Sequence, residues 1–232
     1  MSRRRRIVCI GGWGSTNDAW TDLARALPAY TLEPIPWWAC LDPETSALKS
    51  RLSGLRPALI LGWSLGGLVA LRCAFDGLAP DIPVCLLAGT ARMGAQGDYP
   101  GVDPRVLRAM RIRLAHDAGG SMADFAALCG APSAPAGFVE RFVARSRAVP
   151  PGALAAGLAY LDETDVRDRL PLFGTQVLWL HGDCDAVIPV ESAVYAASRN
   201  PAITLERLPG AGHALPYAAP ALLADRIGRL LA

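Results

Sequence analysis

The sequence of 232 residues holds no apolar run approaching the roughly 20 residues that a helix needs to cross a bilayer. A membrane-spanning helix is therefore excluded. A secretory signal is not expected either. Arg3 to Arg6 precede a short apolar stretch at residues 7–10, but Gly11-Gly12-Trp13-Gly14 end it at once, which leaves too short a hydrophobic region. A leaderless cytoplasmic protein is expected. Excess charge is also lacking. The formal net charge is +2, which argues against a dedicated nucleic-acid binder with its concentrated basic field. None of the six cysteines (Cys9, Cys40, Cys73, Cys85, Cys129, Cys184) forms a C-x-x-C pair, so neither a metal site nor a disulfide framework is suggested. The first glycine-rich loop lacks both the Lys-Ser/Thr of a P-loop and the G-x-G-x-x-G of a dinucleotide site. No cofactor is expected. Histidine is scarce: His116, His181 and His213 are the only three.

What is present is apolar. Hydrophobic residues make up 52% of the chain, enough to bury a sizeable core in one domain with an insertion. Short apolar runs at 7–10, 58–61 and 84–88 read as buried strands, and strand patterns return at 176–180 and 203–208. A run at 32–36 is a weaker strand because it contains prolines. Helices are expected from Asn17 or Asp18 to about 27, from Pro43-Glu44 to about 55, over 65–75 and over 220–231. The alternation implies an α/β fold with a doubly wound, mostly parallel sheet. Between about 92 and 170 strand patterns vanish. Leu107, Met110 and Leu114 share a helical face, as do Phe138, Phe142 and Arg145. Prolines at 132, 135, 150 and 151 divide the region into short helices. It reads as a helical lid, residues 92–170, inserted into a core formed by residues 1–91 and 171–232.

Ligands of such sheets bind at the carboxyl ends of the strands. The loops at 11–15, 62–66 and 182–187, and the loop carrying His213, all fall there. Gly62-Trp63-Ser64-Leu65-Gly66 matches G-x-S-x-G between an apolar strand and an amphipathic helix. That context sets the serine on a sharp strand-to-helix turn, with glycines that let the backbone approach closely. His213, in Gly210-Ala211-Gly212-His213, has both the C-terminal position and the glycine-rich loop. Its imidazole can take the serine proton and return it near neutral pH. Asp183 or Asp185 can hold that histidine's tautomer. The oxyanion donors expected are the backbone N–H of Leu65, next to the nucleophile, and that of Trp13 in the first glycine-rich loop.

Three blocks resemble one family. Gly12-Trp13-Gly14, Gly62-Trp63-Ser64-Leu65-Gly66-Gly67-Leu68-Val69-Ala70 and Gly212-His213-Ala214 are similar to α/β hydrolases of the pimeloyl-[acyl-carrier protein] methyl ester esterase type, which act in biotin synthesis. Tyr99-Pro100-Gly101-Val102-Asp103-Pro104 also resembles that family's segment at the lid entrance. The hydrolase pattern H-G-x-x-D-x-x-V-P selects Asp185 over Asp183, with Ile188 where valine is usual. The sequence departs from the family at Gly11, where a histidine is usual. It also starts almost at the first parallel strand, so a shortened N-terminus is expected.

The resemblance implies a serine esterase with Ser64, Asp185 and His213 as triad, acting on a methyl ester carried by acyl carrier protein. A general carboxylesterase acting on small free esters is the alternative, and a catalytically silent binding protein a further one. A methylene chain needs an apolar cleft, for which the lid offers Met110, Leu114, Met122, Phe125, Leu128, Phe138 and Phe142, with Trp13 beside them. An acidic carrier needs a basic face. Residues 104–150 contain seven arginines and three acids, and Arg141 and Arg145, four apart on one helix, are the expected docking pair. A merely solvated lid surface would carry the same arginines.

Overall fold

The computed structural model describes residues 4–42, 46–78, 80–172 and 174–232. Six strands form one sheet in the order β2-β1-β3-β4-β5-β6, and every pairing is parallel. The strands are β1 (Arg5–Ile10), β2 (Tyr30–Ile35), β3 (Leu59–Trp63), β4 (Val84–Leu87), β5 (Val177–Gly182) and β6 (Ile203–Leu208). β3 and β4 are buried at every position, as expected of parallel strands covered by helices on both faces. Pro34 lies in β2 at the sheet edge, where a missing N–H is tolerated.

α1 (Thr21–Ala26), α2 (Ser46–Leu55), α3 (Leu65–Phe75), α8 (Val190–Arg199), α9 (Leu215–Ala218) and α10 (Pro220–Leu230) belong to the α/β core. The predicted start of α2 at Pro43-Glu44 lies outside the described residues. Four helices, α4 (Pro104–His116), α5 (Ala118–Gly130), α6 (Phe138–Ser146) and α7 (Ala153–Glu163), stand between β4 and β5. Asp103 opens α4 by accepting the Arg105 amide at 2.8 Å, and Asp117 opens α5 by accepting that of Gly120 at 2.8 Å, both ordinary N-caps. The two ends of this helical segment meet where Asp165 takes ion pairs from Arg92 at 2.9 Å and Arg167 at 2.7 Å.

Chain order reverses across the sheet between β1 and β3. β1 leads outward to β2 on one side, and β3 continues to β4 on the other. A crevice opens at the carboxyl ends of strands at such a reversal. The loop after β1 and the turn after β3 both border it. Among the described residues no helix is long and apolar enough to cross a membrane, and no cluster of potential metal ligands occurs. Five of the cysteines are buried and Cys184 is exposed, all as free thiols.

Candidate active site

β3 ends at Trp63 and α3 begins at Leu65, so Ser64 alone makes the turn. Its backbone sits at φ 55°, ψ −117°, a conformation that costs an L-residue strain. Close backbone packing enforces it. A Cβ on Gly62 would stand 2.3 Å from the Gly66 carbonyl oxygen, and one on Gly66 would stand 2.1 Å from that of Ile10. Both glycines of G-x-S-x-G are therefore steric requirements. The Ser64 amide anchors the turn to β4 by donating to the Leu87 carbonyl at 2.9 Å.

The loop after β1 lies against this turn. A Cβ on Gly12 would come within 3.1 Å of the Ser64 Cβ and 3.2 Å of the Trp63 ring. The Trp13 amide has no backbone acceptor among the described residues, and the Leu65 amide, first in α3, has no acceptor within its helix. Two free N–H groups on adjoining loops suit an oxyanion. The loop is braced without a histidine at position 11. The Ser15 hydroxyl donates to the Gly12 carbonyl at 2.8 Å, and the Trp37 indole donates to the Ser15 carbonyl at 3.0 Å. A Cβ on Gly11 would stand 2.4 Å from Ser15 Oγ, so Ser15 occupies space that a side chain at 11 would need. The Trp13 indole donates to the Leu154 carbonyl at 2.8 Å and packs edge-on to Phe125.

Asp185 sits just past β5 with its carboxylate buried. Oδ1 accepts the amides of Val187 at 2.8 Å and Ile188 at 2.9 Å. Oδ2 faces His213 Nδ1 at 2.8 Å. Burial alone would raise this carboxyl, but attraction to His213 and the bonds from His181 and His213 hold it well below the usual carboxylate range. Asp183, the other candidate, is exposed and accepts the Gly210 amide at 2.7 Å. It shapes the histidine's loop rather than its ring.

His213 is fully buried, and its Nε2 has no hydrogen-bond partner among the described residues. A buried imidazole nitrogen left open requires an explanation, and a proton acceptor for chemistry supplies one. Its loop is held from two sides. The Trp63 indole donates to the His213 carbonyl at 2.9 Å. The Gly212 amide donates to Ser133 Oγ at 3.0 Å, and the Ala214 amide to the Cys129 carbonyl at 3.1 Å, so the end of α5 steadies it as well.

Ser64 and Asp185 line a cavity of about 270 Å³, walled by Trp13, Met93, Met110, Phe125, Leu128, Leu158 and Val187, among others. Its ionisable lining residues are Asp103 and Asp185. A larger groove of about 540 Å³ runs along α4 and α7 past Arg111 and Arg147, and shares Leu158 with the cavity. It contains none of Ser64, Asp185 and His213, whereas the smaller space contains Ser64 and Asp185.

Several lid expectations need correction. Phe138 and Phe142 do not line this cavity. They are buried in an aromatic stack, Phe138 against Tyr217 at 5.0 Å and Phe142 against Phe125 at 6.0 Å between ring centroids, so of the three phenylalanines only Phe125 reaches it. Leu114 lines the larger groove instead, and Met122 lines neither. Arg145 is not a free docking cation, because it is ion-paired with Asp18. Arg141 is exposed. Sequence reasoning missed Met93, Leu158 and Val187 as walls, and it gave no role to Trp63 or to His181.

Residues 7–226 match the alpha/beta hydrolase family. A pimeloyl-[acyl-carrier protein] methyl ester esterase of Stenotrophomonas maltophilia is 35% identical over 90% of this chain and 85% of its own. The protein of the same name from Vibrio cholerae is 32% identical over 81% of this chain and 78% of its own. An esterase structure from Exiguobacterium antarcticum superposes with a TM-score of 0.88 at 19% identity, covering 98% of this chain and 91% of that one. That likeness concerns the fold.

Proposed function

The chain belongs to the alpha/beta hydrolase family, and we propose that it is a serine esterase that removes the methyl group from pimeloyl-[acyl-carrier protein] methyl ester in biotin synthesis, in the cytoplasm. The observation that carries the chemistry is a strained Ser64 and a buried Asp185 on one apolar cavity, with Asp185 bonded to His213 at 2.8 Å. The substrate comes from the relatives' names. It is supported by apolar walls that suit a methylene chain.

Ser64 Oγ attacks the ester carbonyl carbon while its proton passes to His213 Nε2. The carbonyl oxygen becomes an oxyanion, held by the Trp13 and Leu65 amides. Collapse breaks the bond to methoxide oxygen, which leaves as methanol with the proton from His213. Water then attacks the acyl-serine, giving one proton to His213, and the second collapse returns that proton to Ser64 and frees the carboxylic acid, which loses its remaining proton to solvent to give the carboxylate. Asp185 keeps the imidazole in the Nδ1–H tautomer and stabilises its cationic form. No cofactor takes part.

Residues 92–170 serve as the lid over this cavity, and its exposed arginines, Arg141 foremost, meet the acidic carrier. A cavity of about 270 Å³ also suits small free esters, so a general carboxylesterase is the second reading. The test is complementation of a biotin auxotroph lacking its methyl esterase, together with kcat/KM on carrier-bound and small methyl esters. Growth and a preference for the carrier-bound ester are expected. Activity on small esters alone would favour the second reading.

A further inference from the structure

The Asp185 carboxylate has a fourth partner. His181, the penultimate residue of β5, is fully buried and places Nε2 3.2 Å from Asp185 Oδ2 and 3.0 Å from the Ile188 carbonyl oxygen. Both neighbours are acceptors, so Nε2 must carry the proton and donate it. His181 Nδ1 is buried without a partner among the described residues. The Nε2–H is therefore the group through which His181 acts, as a donor rather than as a second base.

A carboxylate offers about four lone-pair sites. In Asp185 the Val187 and Ile188 amides fill those of Oδ1, and Oδ2 meets His213 at 2.8 Å and, at 3.2 Å, the His181 Nε2–H that it shares with the Ile188 carbonyl. The group can neither rotate nor take up water without losing a bond. We infer that His181 is a positioning residue for the esterase reaction: its Nε2–H locks the Asp185 carboxylate in the one orientation that presents Oδ2 to His213. This rests on the triad proposed above. His181 touches no substrate, and its effect passes through Asp185.

The donor can be removed while bulk is kept. His181→Met fills the site with no N–H. His181→Gln can put an amide N–H near the position of Nε2, whereas His181→Asn carries the same amide on a shorter stem. The bond lost is one to a charged group, so kcat on a p-nitrophenyl ester should fall about 10- to 100-fold in His181→Met. KM should stay within about twofold, because only the transition state draws on the aligned imidazole. His181→Gln should recover most of kcat and His181→Asn should not. The low-field proton resonance of the Asp185–His213 bond should broaden or move in His181→Met and return in His181→Gln. If His181→Met does not fold, the Gln and Asn pair decides alone. Equal kcat in the Gln and Asn variants, or a folded His181→Met with unchanged kcat and resonance, overturns the inference. A native protein that hydrolyses no ester and whose Ser64 takes no fluorophosphonate label would instead remove the proposed function.

Discussion

Asp185 Oδ2 stands 2.8 Å from His213 Nδ1, while Asp183, two residues earlier in the same loop, accepts the Gly210 amide at 2.7 Å. The two carboxylates thus hold the ring and its loop separately. Replacing Asp185 by Asn should lower kcat about 10⁴-fold, as in other triads. Ser64→Ala and His213→Ala should cost roughly 10⁴–10⁶-fold. Asp183→Asn removes an exposed charge but keeps an oxygen that can accept the Gly210 amide, so it should cost less than about tenfold. Steady-state kinetics on a small ester checks the ranking, and a larger loss at Asp183 than at Asp185 would reverse the assignment of the acid.

The proposed oxyanion loop should be sensitive to a single methyl group. Gly12→Ala sets a Cβ 3.1 Å from that of Ser64 and should push the Trp13 amide out of line. Trp13→Pro deletes the N–H outright and should lower kcat by about 10²–10³-fold. Circular dichroism must show both variants folded. Normal turnover in a folded Trp13→Pro protein would place the second donor elsewhere.

The elbow's glycines are tested by stability rather than rate. Gly66→Ala drives a Cβ to 2.1 Å from the Ile10 carbonyl oxygen. Backbone on both sides must move, at the cost of overpacking, so Tm should fall by about 2–12 °C. Gly54, which faces open space, is the control, and Gly54→Ala should not lower Tm. Differential scanning calorimetry reads both. Equal Tm values for the two variants would mean the elbow relaxes freely.

How much of this was legible beforehand depended on what each signal measures. The limits of α3 and β6 coincide with the expected spans because α3 lies between the serine turn and Gly77, and Pro209 follows β6. β3 extends two residues beyond the expected run, since Gly62 and Trp63 read as loop yet pair with β4. α8 gave no signal because its buried face consists of Val190, Ser192, Ala193 and Ala196, mostly too small to register as a hydrophobic stripe. Ser64, Asp185 and His213 could be singled out because their chemistry is tied to local motifs. Of the cavity walls, Trp13, Met110, Phe125 and Leu128 were among the expected cleft residues, whereas Met93, Leu158 and Val187 could not be found, since they meet only in the fold. Phe138 and Phe142 show the limit of periodicity: it marks a buried face without saying what covers it.

The lid arginines separate once their partners are known. Arg145 pairs with Asp18, so Arg145→Glu sets two acids together and should slow small esters as well as carrier-bound ones. Arg141→Glu carries no such penalty and should impair only the carrier-bound ester, mainly in kcat/KM. That difference should fade with salt, as the Debye length falls from about 10 Å at 0.1 M to about 3 Å at 1 M. Loss on neither substrate for Arg141→Glu would leave it a solvated side chain.

Asp165 gives a pH signature. Burial pushes its carboxyl up, but hydrogen bonds from Arg167 and Arg92 outweigh this and hold it at about 2, below the unfolded value of about 3.9. A lowered folded value stabilises above the unfolded one, and that stability is lost as pH falls through the folded value. The Tm gap between the native protein and Asp165→Asn should therefore be full at pH 6 and shrink between about pH 4 and pH 2. A gap that does not change with pH would assign the effect to packing.

Trp63 occupies the nominally variable position of G-x-S-x-G, yet its indole holds the carbonyl of His213, 150 residues away in the chain. That position is therefore not free to drift. A lineage that replaced Trp63 would keep Ser64, Asp185 and His213 and still loosen the backbone that carries the imidazole. In a family alignment such a chain would pass as intact. Covariation between position 63 and the 210–214 loop, rather than presence of the triad, is thus the better sign that a descendant remains an efficient enzyme.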